Sequence, residues 1–143
     1  MESLKRYRKF CFKDKLLIIK IFLLSGVIRF IILTTPFKNI SKHLGVPKEE
    51  SKYVPNESDI NKIRRISYFV SKVCRKTPWE SKCLVQAIIA QRLLVKENIE
   101  STLYLGVGRD NKEMIAHAWI KCGDFTVTGV IDKEFGVVAK YRK

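Results

Sequence analysis

The chain predicts an α+β domain in which helices come first and a small antiparallel sheet follows. Three observations carry that expectation. Apolar residues run in long or helically spaced blocks as far as Glu97. From Ser101 the texture changes to short strand-like stretches, Thr102-Leu103-Tyr104-Leu105-Gly106-Val107 first among them. Gly123-Asp124 is a two-residue turn candidate between two such stretches. With 143 residues, 46% of them apolar, the chain can bury a real core as one domain and is too short for two comfortable ones.

The elements follow in order. Residues 1–13 are basic and aromatic, as in Lys5-Arg6-Tyr7-Arg8-Lys9-Phe10, and lead into a helix. Lys15 to Leu33 is strongly apolar and approaches the roughly 20 residues that span a bilayer. Lys20 and Arg29 interrupt it on opposite faces, so no polar stripe remains. Three readings stand: burial against the domain or a partner, contact with a membrane surface, and a true span. Pro36 ends the helix, and Ile40, Leu44 and Gly45 suggest a short helix closed by glycine. Val46 to Pro55 reads as a loop. Asn56-Glu57-Ser58-Asp59 supplies cap residues for an amphipathic helix carrying Ile60, Ile63, Ile66, Phe69, Val70 and Val73. Thr77-Pro78 stops it, and another helix runs from about Ser81 to Glu97. Strands are expected at 102–107, 115–121, 125–128 and 135–139, with a polar loop through Arg109-Asp110-Asn111-Lys112.

Charge and cysteines narrow the function. The net charge is +14, spread rather than blocked, which suits an acidic partner, a membrane surface or a nucleic acid. The chain has no phosphate-binding Walker loop, no zinc-finger spacing and no aromatic–basic motif of a single-strand binder, so nucleic-acid binding is not expected. Cys11, Cys74, Cys83 and Cys122 form no Cys-x-x-Cys pair, and His43 is remote in sequence, so neither a zinc site nor another cofactor is expected. No cleavable signal peptide is evident, and reduced thiols in a cytoplasmic protein are the natural reading.

The chemistry concentrates at Cys83, in Thr77-Pro78-Trp79-Glu80-Ser81-Lys82-Cys83-Leu84-Val85-Gln86-Ala87, and at His117, in Ala116-His117-Ala118-Trp119. A loop breaks into a helix at the cysteine, and a strand carries the histidine. The positive end of a helix dipole favours a thiolate, and its free N–H groups can hold an oxyanion. A histidine from a neighbouring rigid element completes an activated nucleophile, that of a cysteine peptidase or acyl transferase. Taken singly, Cys83 is a small buried apolar residue and His117 a core histidine. Taken together and in this order, they follow papain-like and transglutaminase-like enzymes. Cys11, Cys74 and Cys122 read as structural, and Trp79 and Trp119 as packing or as cover over the pair.

Six short stretches then carry a resemblance: Pro36-Phe37, Leu44-Gly45, Cys83-Leu84-Val85-Gln86-Ala87, Leu105-Gly106-Val107, Ala116-His117-Ala118-Trp119 and Val127-Thr128-Gly129. In this order they resemble the stand-alone leader peptidase of lasso-peptide biosynthesis, which has a transglutaminase-like core. The resemblance implies that residues 1–55 are an apolar helix with a connecting loop and 56–143 the catalytic domain, the two forming one compact unit. It also implies removal of the leader from a precursor peptide, a recognition protein that delivers the leader, and an ATP-dependent cyclase that later closes the macrolactam.

The family's triad has an acidic third member, and carried over without a gap that position falls on Gly129. Asp124 is a turn residue about 20 Å from His117, at about 3.3 Å per residue of strand. A two-residue turn at Gly123-Asp124 pairs Cys122 with Phe125 and sets His117 opposite Val130. Residues 128, 130 and 132 then share the histidine's face. Asp132 is the carboxylate expected to orient His117, with Thr128 or a backbone carbonyl as substitutes. The competing functions are acyl transfer by the same pair and a basic, membrane-associated adaptor without catalysis.

Overall fold

A computed structural model describes residues 10–129 and 134–143. Helix α1, Phe12–Thr34, ends where Thr35 turns extended (φ −120°, ψ 132°), as the residue before Pro36 must. It buries Ile21, Ser25 and Ile28 against the two long helices that follow and leaves its other side in the open. Helix α2, Phe37–Ser41, is a single turn and a half, and Ile40 and Leu44 drop from this region into the core.

Val46–Pro47, expected as loop, is instead a two-residue edge strand, β1, paired with the C-terminal strand. Proline is tolerable there because an edge has one side that needs no donor. Helix α3, Glu57–Cys74, begins at the expected cap. Asn56 Oδ1 accepts from Asp59 N at 2.9 Å, and Asp59 Oδ2 accepts from Asn56 N at 3.2 Å. Tyr53 donates to the same Asp59 oxygen at 2.5 Å, so the carboxylate ties the preceding loop to the helix start. Ile63, Ile66, Phe69, Val70 and Val73 form the inner face of α3. Helix α4, Cys83–Lys96, lies between α1 and α3 on one side and the sheet on the other, and Ile89, Ala90 and Leu94 are fully covered. It closes through Asn98 in the left-handed region (φ 57°), with Ile99 N reaching back to Leu94 O at 2.9 Å.

The sheet is antiparallel, in the order β1-β5-β2-β3-β4. Strands β2, Thr102–Asp110, and β3, Glu113–Cys122, are longer than expected. The polar stretch between them shrinks to Asn111-Lys112, both at positive φ (48° and 74°). That is the backbone of a tight mirror-image turn, whose twist matches its strands. Strand β4 is Phe125–Thr128 and β5 is Gly136–Arg142. The last strand, β5, lies inside the sheet, between β1 and β2.

Alternation divides the sheet into two faces. Leu103, Leu105, Ala118, Ile120, Cys122 and Val127 join the helical core. Tyr104, Gly106, His117 and Trp119 share the other side, with Tyr104 and Trp119 stacked at 5.5 Å between centroids.

Candidate active site

The loop before α4 is closed by hydrogen bonds among its own residues. Thr77 Oγ1 lies 2.7 Å from Ser81 Oγ and donates to either the Trp79 or the Cys74 carbonyl, at 2.9 and 3.2 Å. Gln86, one turn into the helix, returns its amide to Ser81 O at 2.9 Å. Beneath this loop lies α1. Trp79 Nε1 donates to buried Ser25 Oγ at 2.9 Å, and the indole lies so close over Gly26 that a Cβ there would stand 3.0 Å from it. Arg29 bonds Glu80 at 3.1 Å on the same flank. Helix α1 therefore supports the loop that leads into Cys83, and Lys20 and Arg29 lie on its two flanks rather than in the core.

Cys83 is the first residue of α4 and half-buried against the core. Lys82, the N-cap, is extended and its side chain makes no capping bond. Ser81, the neighbouring hydroxyl, is engaged with Thr77 instead. The first main-chain bond of the helix is Gln86 N to Lys82 O, so the N–H groups of residues 83–85 have no partner within the helix. These donors belong to the turn that Cys83 opens, at the positive end of the helix.

The other thiols differ. Burial pushes Cys74 up to about 11. Burial, then the Asp59 and Glu100 carboxylates, push Cys122 up to about 11. Cys122 also donates to Glu100 O at 3.3 Å. Cys11 is exposed at the start of α1.

His117 lies on β3 opposite Gly106, and α4 packs on β3. Its ring stacks with Phe135 at 5.1 Å and with Trp119 at 5.9 Å. Gly106 is required here, since a Cβ would meet the Trp119 ring at 2.8 Å. His117 Nε2 lies 3.2 Å from Gly129 O. A carbonyl only accepts, so Nε2 carries the hydrogen in this bond. The structure thus sets Cys83 and His117 on two elements that touch. Among the described residues their side chains share no hydrogen bond, and His117 is on the sheet face turned from the core.

Of the groups expected to orient His117, Asp132 lies outside the described residues, as does Val130. Thr128 is a correction. Cys122 pairs with Phe125 and Lys121 with Thr126, but a bulge then sets Thr128 opposite Ile120. That extra residue moves Thr128 to the core face, where its hydroxyl is buried without a partner. A backbone carbonyl, from Gly129, meets the ring instead. Gly129 has φ 72°, and a Cβ there would stand 2.5 Å from Ala118 O, so no side chain fits the position onto which the family's acid falls. Asp124 is exposed at the β3–β4 turn, as its neighbour Gly123 (φ 57°) requires.

Two supports were not singled out from the sequence: Ser25 under Trp79, and the Thr77–Ser81–Gln86 network. A visible signal existed for the first, because Ser25-Gly26 is the one small polar break in an apolar run. Metal chemistry has no ready donor set, since no cluster of three His, Cys, Asp or Glu occurs among the described residues. The sequence matches the family described as the transglutaminase-like superfamily over residues 31–140. No curated protein and no solved structure matches it.

Proposed function

The chain belongs to the transglutaminase-like superfamily, and from that premise we propose that it is a cytoplasmic cysteine peptidase that removes the leader from a lasso-peptide precursor. The observation that carries the catalytic part is Cys83 at the uncapped start of α4, on a helix packed against the strand of His117. The lasso assignment rests on the six ordered stretches, Cys83-Leu84 and Ala116-His117-Ala118-Trp119 above all.

In this reading His117 takes the Cys83 proton, the thiolate attacks the scissile carbonyl carbon, a C–S bond forms, and the carbonyl π pair moves to oxygen. The free N–H groups of the first turn of α4 hold that oxyanion. As the tetrahedral species collapses, the C–N bond breaks and His117 gives its proton to the departing amine. Water then attacks the thioester, His117 takes its proton, and the leader carboxylate leaves as Cys83 is restored. His117 is oriented by the Gly129 carbonyl or by Asp132. A recognition protein presents the leader, and an ATP-dependent cyclase uses the product.

The test is incubation of the full chain with a leader–core precursor peptide and its recognition protein, read by mass spectrometry. One cut at the leader–core junction, lost in Cys83→Ala, is the expected result. An intact precursor, or a cut that survives Cys83→Ala, overturns the reading. Exchange of the same amide onto an added amine would instead favour acyl transfer by the same pair.

A further inference from the structure

Helix α1 has two unlike sides. Inward, Ile21, Ser25 and Ile28 are buried, Ser25 holds Trp79, and Asp14 bonds Arg65 at 2.7 Å. Outward, Phe12, Leu16, Ile19, Leu23, Val27 and Phe30 follow one another at steps of three and four residues, which places them along one line of a helix. Leu23 is 60% exposed and Phe30 67% exposed. The line is wholly apolar and extends about 30 Å, at about 1.5 Å per residue. A bare apolar strip of that length marks an interaction surface.

The charges carried by this stretch are almost wholly of one sign, and Glu80 reaches in from the loop before α4 to pair with Arg29. Between Cys11 and Pro47 the only carboxylate is Asp14, which faces inward to Arg65, against Lys13, Lys15, Lys20, Arg29, Lys38 and Lys42. By helical spacing Lys13 and Lys20 flank one side of the strip and Lys15 the other, and none stands on its crest. Apolar crest, cationic flanks and a net charge of +14 match a surface that is greasy within and anionic at its rim.

We propose that the outward face of α1 docks this protein in the plane of an anionic lipid bilayer, with the crest at the acyl–headgroup boundary and the flanking lysines on lipid phosphates. A transmembrane placement would strip Ile21, Ser25 and Ile28 from the domain and break the Trp79 and Glu80 bonds to α1. A second copy meeting this one strip to strip would bring two rows of lysines together, each on a chain of +14.

The test is sedimentation of the full chain with vesicles of phosphatidylcholine alone and of phosphatidylcholine with phosphatidylglycerol, at low and high salt. The anionic vesicles are expected to bind at least about tenfold more protein, with partial release by salt. Leu23→Glu combined with Phe30→Glu removes the crest, and Lys13→Glu combined with Lys20→Glu reverses flanking charge without touching it. Each pair is expected to lower binding about tenfold or more. Leu23→Trp adds a depth probe whose emission moves to the blue and is quenched by lipids with brominated chains. Equal binding to both vesicles, or binding indifferent to both double variants, overturns the proposal. Resistance to alkaline carbonate extraction would replace it with a span. A salt-stable dimer dissolved by the crest variant, without vesicle binding, would replace it with self-association.

Discussion

Cys83 and His117 are held in opposite ways. The cysteine depends mainly on short-range order: Thr77, Ser81 and Gln86 close one loop, and the long reaches are Trp79 to Ser25 and Glu80 to Arg29. The histidine depends on register. Its position follows from nine paired residues of β2 and β3, and its polar partner among the described residues, Gly129 O, arrives after a bulge between Ile120 and Lys121. The difference teaches that the place of Cys83 is set by local chemistry, whereas that of His117 is set by strand pairing, in which one residue of slip exchanges the two faces.

The sharpest break of that comparison removes each partner. Cys83→Ala and His117→Ala are each expected to lower precursor cleavage by roughly 10³-fold or more, and the double variant no further, because the groups act as a unit. Thermal unfolding should stay close to wild type for both. If His117→Ala retained most of the rate, the register argument would be serving another base.

The next effect separates register from mere backbone strain. Gly129→Ala puts a Cβ 2.5 Å from Ala118 O at φ 72°. It is expected to cost about 1–3 kcal/mol of stability and, by displacing the carbonyl that meets His117, on the order of a hundredfold in rate. Gly123→Ala, at φ 57° and 2.9 Å from Pro55 Cδ, shares the strain but not the ring contact. It should lower the melting temperature and leave the rate near wild type. Equal kinetic loss in both would show that His117 owes nothing to Gly129.

On the nucleophile's side, Ser25→Ala leaves Trp79 Nε1 without its partner. A loss of about 1–3 kcal/mol, with a rate reduced several-fold, is expected in denaturation and cleavage assays. Unchanged stability and rate would mean that α1 merely lies beside the loop.

The smallest effect is at Asp59, far from the chemistry. The Tyr53 hydroxyl, then the Asn56 backbone N–H, hold its carboxyl below the ordinary value of 3.8. A carboxyl lowered on folding stabilises above its ordinary value, and that contribution is lost as pH falls below it. Asp59→Ala should lower the melting temperature slightly near neutral pH through the lost half of the capping box, and the gap from wild type should narrow below pH 3.8.

What was legible in the sequence follows the same division. The capping box at Asn56 and Asp59, the start of a helix at Cys83 and the Gly123-Asp124 turn were readable because each is local. The full lengths of β2 and β3 were not, because Asn111-Lys112 makes its tight turn with a lysine at positive φ, where glycine is the usual marker. Neither the interior place of β5 nor the bulge that turns Thr128 into the core was readable, since both are set by strand pairing rather than by local sequence. The apolar run of α1 signalled a helix, but only packing could show that Ser25 is its inner contact with Trp79.

The central claim, that Cys83 and His117 act as one reacting pair, is tested most directly by the alkylation rate of each cysteine. The full chain and His117→Ala are treated with iodoacetamide at mildly acidic pH, and the labelled peptides are quantified over time by mass spectrometry. The account predicts that Cys83 reacts first, ahead of exposed Cys11 and of the buried thiols at Cys74 and Cys122, each pushed up to about 11. It also predicts that His117→Ala slows Cys83 by about tenfold or more while leaving Cys11 unchanged. Faster labelling of Cys11 than of Cys83, or a Cys83 rate indifferent to His117, would contradict it.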